Sequence, residues 1–107
     1  MTSQNRFLDQ SQVLNALYKG GYHSDLMERS LAKIIELEHG QALQQASDLQ
    51  AKLQVYEIQY QMPSDTFYQQ FNAGELGDSM DFFEWSAFYD MWQSVQMRLG
   101  VLQSIGS

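Results

Sequence analysis

Cysteine is absent from the chain, which excludes disulfide stapling and thiolate chemistry and is compatible with a reducing compartment. Proline occurs once, at Pro63, so only one position forbids helix outright. Basic residues are scarce: 6 Lys and Arg stand against 13 Asp and Glu, a net charge of -7. Phosphate backbones are gripped by clustered Lys and Arg, so this balance argues against nucleic acid and favours encounter with a basic partner. No apolar run approaches the ~18 residues of a membrane span. The opening "MTSQNRFLDQSQ" also lacks the apolar stretch of a signal peptide. Together these readings predict a cytoplasmic protein without a membrane segment.

The 107 residues suffice for one small domain with a modest core, which self-association would enlarge. Pro63 divides the chain in composition. Residues 1–62 carry 5 basic and 7 acidic side chains, and residues 63–107 carry 1 basic and 6 acidic. The second part also holds nine of the fourteen aromatics.

Helical periodicity dominates. Val13, Leu14 and Leu17 share a face that Leu8 and Tyr18 extend, and Gly20-Gly21 stops that segment. Ser24 is placed to cap a second helix with Glu28 in its first turn. Ala42, Ala46, Leu49, Leu53, Tyr56 and Tyr60 then recur at alternating steps of four and three, a heptad seam. Gly40 is a weak point at which the long helix could break. Past Pro63, Ser64 is the expected cap of a short helix bearing Phe67 and Phe71, which Gly74 ends. Asp78 or Ser79 caps a last helix with a second seam: Phe88, Trp92, Val95, Leu99 and Leu102. The predicted fold is all-α and a single domain over 1–107. Its segments are an N-terminal helical segment (1–22), a long helix (23–62), a short helix and turn (63–79) and a C-terminal helix (80–104). The two seams predict a long antiparallel, coiled-coil-like hairpin that is dimeric.

Sets of residues that could carry chemistry are few. Glu36 and His39 form a single i, i+3 pair, short of the three or four ligands of a zinc site. Gly74 and Gly77 follow no strand and make no phosphate loop, and no Ser-His-Asp set assembles. No catalytic residue, metal or cofactor is assigned. The few basic residues, Arg6, Lys19, Arg29 and Lys33 before Lys52, allow at most weak operator DNA contact.

The dense feature is "FNAGELGDSMDFFEWSAFYDMW", with six aromatic rings between Phe82 and Trp92. Phe88 and Trp92 lie on the seam, whereas Phe82, Trp85 and Tyr89 are rotated away from it. A helix aromatic on two sides has two surfaces to cover. Asp78, Asp81 and Glu84, three apart, read either as dipole compensation at the helix start or as a docking ridge for Arg and Lys.

Residues 63–99 carry Phe67-Tyr68, then Phe71, then Ala73-Gly74-Glu75-Leu76-Gly77-Asp78, then Asp81-Phe82-Phe83-Glu84-Trp85. This pattern resembles antitoxin-like proteins of small bacterial and cyanobacterial toxin–antitoxin pairs. The resemblance spans about a third of the chain, and the first forty residues carry no part of it. It implies a non-enzymatic protein that binds and neutralises a small toxin. The expected partner-binding set is Asp81, Phe82, Glu84, Trp85 and Tyr89, with Phe67 and Phe71. Leu49, Leu53, Tyr56, Tyr60, Phe88, Trp92, Val95 and Leu99 form the dimer or hairpin seam. The competing reading is a structural or adaptor helical dimer without a toxin partner.

Overall fold

The computed structural model describes residues 3–105, and their side chains from 9 to 104. Among these residues the regular structure is entirely helical: α1 (Ser3–Lys19), α2 (Asp25–Tyr60), α3 (Ser64–Asn72) and α4 (Met80–Ile105). The all-α expectation holds. The first two residues of the expected N-terminal segment, and the side chains of Arg6 and Leu8, lie outside the described residues. The chain forms two compact units, Met1–Ile34 and Ile35–Ser107.

Helix ends follow local chemistry. At the end of α1, the Tyr22 amide donates to the Leu17 carbonyl (3.0 Å) and the Gly21 amide to that of Tyr18 (3.1 Å). This crossed pair closes the last turn around Gly21, whose φ of 90° is costly for any residue with a Cβ. The same closure ends α3, with Gly74 at φ 75° and the Glu75 amide donating to the Gln70 carbonyl (3.0 Å). α2 ends similarly, but on a non-glycine: Gln61 takes φ 55°, and its side-chain amide donates to the Ile58 carbonyl (2.7 Å). Ser24 caps α2 as expected, its hydroxyl accepting from the Met27 amide (3.0 Å). Ser79 serves α4 in the same way, through the Phe82 amide (3.3 Å).

The expected long helix is kept, and one local expectation changes. α2 passes through Gly40 unbroken. Ser64 does not cap α3: Pro63 holds the cap position, with no side-chain cap bond of its own. The Ser64 amide instead donates to the Glu57 carboxylate on α2 (3.0 Å), so a neighbouring helix supplies the acceptor for α3.

In the second unit the two seams meet. Ala42, Ala46 and Leu49 bury themselves with Val95 and Leu99, and Phe88, Trp92 and Leu102 pack against them. Polar pairs mark the register: His39 faces Gln103 (3.5 Å), and Arg98 donates to Gln45 (2.9 Å). Tyr56 donates to Glu84, and Tyr60 to Asp81 (2.6 Å). Positions that rise along α2 fall along α4.

Candidate functional site

Past Leu49 the seam widens into an aromatic cluster. Leu53, Tyr56, Phe67 and Trp85 are buried, with Tyr60, Tyr68, Phe71, Phe82, Tyr89 and Trp92 among the rings packed around them. Trp85 is the hub. The Phe67 ring lies parallel to it at 3.8 Å between centroids, and Tyr56 (5.6 Å) and Tyr60 (5.7 Å) stack from α2. Its indole N–H donates to the Ser64 hydroxyl (2.9 Å). Ser64 is itself buried, so a buried donor finds a partner inside the fold.

α3 therefore covers the second aromatic face of α4. Phe82 lies 5.4 Å from Phe67, and Tyr89 lies 4.8 Å from Tyr68. The expectation that Phe67 and Trp85 anchor a partner is corrected here: both are fully buried and present no surface. Phe71, Phe82 and Tyr89 are half-buried, as is Asp81, whereas Glu84 is exposed. Of the seam residues, Leu49, Leu53, Tyr56, Val95 and Leu99 are buried, and Tyr60, Phe88 and Trp92 are half-buried.

Trp85 was readable as a seam residue. It stands three residues before Phe88, so 85, 88, 92, 95, 99 and 102 continue one alternation of three and four. Asp81 and Glu84 look like a free ridge in sequence because the hydroxyls that occupy them lie more than twenty positions away.

Those carboxylates act inside the fold. Burial, reinforced by the Glu84 carboxylate, pushes the Tyr56 hydroxyl up to about 12. The hydrogen bond to Asp81 raises that of Tyr60, and the bond to Asp90 raises that of Tyr68. In each case a tyrosinate would face a carboxylate, so the neutral phenol is favoured.

No family model, curated protein or solved structure matches the chain.

Two open clefts flank the cluster. One, of about 360 Å³, has Asp81 and Glu84 on its wall together with Lys52 and Phe88. Its carboxylates already accept from tyrosines, and the Lys52 ammonium lies 5.0 Å from the centre of the Phe88 ring. The other, of about 280 Å³, is lined by Gln50, Leu53, Glu57, Pro63, Ser64, Asp65, Tyr89 and Trp92. Its Tyr89 and Trp92 rings stack at 5.9 Å. Burial, then the Asp65 carboxylate, raises the Tyr89 hydroxyl. No Lys or Arg lines this second cleft. Glu57, Asp65 and Trp92 were not expected at a binding site. Only the return of the chain at Pro63 sets α2 carboxylate and α4 rings around one space.

Among the described residues no group of three or more His, Asp or Glu side chains is placed to hold a metal ion. Among the described residues no helix is long and apolar enough to cross a membrane.

Proposed function

We propose that the protein is a non-enzymatic binding module that captures a basic protein partner, in the manner of the antitoxins that residues 63–99 resemble. The observation that carries this reading is the cleft at Glu57, Asp65, Tyr89 and Trp92, which combines two carboxylates and two stacked rings with no cation. An arginine or lysine side chain suits such a space, because rings stack on the cation and carboxylates accept its N–H groups. The charge of the second unit supports it: ten acidic and two basic residues in 35–107 leave -8, whereas four basic and three acidic in 1–34 leave +1. Such a field speeds the encounter with a basic protein. In this reading the second unit is an antiparallel coiled-coil-like hairpin held rigid by the Trp85 cluster, and its partner is the product of an adjacent open reading frame.

The test is co-purification with that neighbouring product, followed by titration against salt. Binding should weaken at least tenfold on Asp65→Lys and lose part of its salt dependence on Asp65→Asn, with helicity retained. A neighbour that is neither bound nor toxic removes the reading. A chain that then sediments as a stable dimer selects the alternative, a structural or adaptor protein.

A further inference from the structure

α4 carries a second stripe, distinct from the seam it turns toward α2. Met80, Phe83, Ala87, Met91, Ser94, Arg98 and Val101 are spaced 3, 4, 4, 3, 4 and 3, so they fall on one face of the helix. This face is exposed. Relative accessibility is 83% at Met80, 54% at Phe83, 49% at Met91 and 63% at Val101, with Met97 on its flank at 75%. Ala87 and Ser94 are exposed too, and their small side chains let another backbone approach closely. At ~200 Å² for a large side chain, the five bulky residues present roughly 650 Å² of surface. A specific interface takes ~800 Å² from each partner. One α4 face thus offers most of one half of a two-fold dimer.

We propose that this face pairs with the same face of a second copy, the two α4 helices running antiparallel about a two-fold axis near Met91. The direction follows from the ends and the charges. Antiparallel pairing about that point sets Met80 against Val101 of the other copy. It also brings Arg98 beside the exposed Glu84 of that copy. Arg98 is the only basic residue of α4 and has no carboxylate partner among the described residues, only Gln45. Parallel pairing would oppose Arg98 to Arg98 and Glu84 to Glu84, and like charges so placed are unfavourable. Asp90, near the axis, is bonded to Tyr68 of α3. Met at the centre suits such a contact, since its flexible side chain fills irregular gaps. The pairing is independent of the toxin reading, because it uses none of the cleft residues, and of the seams, which meet within one chain.

The chain contains no cysteine, so introduced cysteines report the geometry directly. The unmodified chain should have about twice its 12.4 kDa mass at micromolar concentration. Met91→Glu should weaken the dimer at least tenfold, with helix content unchanged. Met91→Cys should cross-link to itself, and Met80→Cys should cross-link to Val101→Cys in a mixture far faster than to itself. A chain that stays at 12.4 kDa overturns the proposal. So does a dimer indifferent to Met91→Glu, or preferential Met80→Cys self-linkage, which marks a parallel pair. If Met91→Glu does not fold, the cysteine pair decides alone. Loss of toxin binding with the dimer intact leaves this proposal standing and removes only the partner reading.

Discussion

The two units are equally helical, yet they are stabilised differently. In Met1–Ile34 the apolar face of α1 stays open, with Val13, Leu14, Leu17 and Tyr18 all exposed. Its polar contacts include ones short in sequence: the Ser24 cap, the Arg29–Asp25 pair (2.7 Å) and the His23–Glu28 contact (3.4 Å). Exposed pairs of this kind contribute ~0.2–1 kcal/mol each. In Ile35–Ser107 the contacts that matter are long: Tyr56 to Glu84, Tyr60 to Asp81, Trp85 to Ser64. Caps and periodicity are enough to specify a helix. A core requires faces that meet across the chain.

The sharpest way to break this contrast is at its two extremes. Trp85→Ala removes a fully buried ring and should cost ~3–5 kcal/mol in a denaturant titration. Leu17→Ala, on the open face of α1, should cost under ~0.5 kcal/mol. Equal costs would mean that the α1 face is covered in solution, and the contrast would collapse.

Ser64→Ala should cost ~1–3 kcal/mol, because it strands the buried indole N–H of Trp85 without an acceptor. Ser24→Ala, the corresponding hydroxyl of the first unit, should cost only ~0.5–1 kcal/mol of capping. If the Ser64 variant unfolds no more easily than the Ser24 variant, water replaces the hydroxyl and Trp85 is less sealed than its burial implies.

Alkali separates the units again. Tyr56 ionises near 12 in the fold and at ~10 when unfolded. A raised value means its contribution is complete below the unfolded value and is lost as pH climbs from about 10 toward 12. Tyrosinate absorbance should therefore lag behind that of free tyrosine until the second unit opens, and Tyr56→Phe should remove part of the lag. An unchanged curve in that variant would deny Tyr56 its place in the effect.

A small effect of opposite sign is expected on the backbone. A Cβ at Gly40 meets nothing within 4 Å, so Gly40→Ala should stabilise α2 by ~0.5–1 kcal/mol. A fall in melting temperature would show that the helix bends there in solution.

Much of this organisation was legible. Gly21 and Gly74 ended helices where expected, Ser24 and Ser79 capped them, and both seams buried their central residues. Trp85 was misread as a surface anchor although its step to Phe88 continues the seam. Ser64 was misread as a cap because Ser after Pro is a local signal, whereas the Glu57 carboxylate that replaces it comes from seven residues earlier on another helix.

Helix bounds and seams depend on interactions within a turn or two, and the order of residues specifies those on its own. What covers the second aromatic face of α4 depends on where Pro63 sends the chain. The return lays Phe67 on Trp85 and fills Asp81 and Glu84 with tyrosine hydroxyls. It also leaves Glu57 and Asp65 around an open, cation-free space. Burial and satisfied hydrogen bonds belong to pairs of residues distant in sequence, so periodicity could show that a face needed covering but not that α3 would cover it.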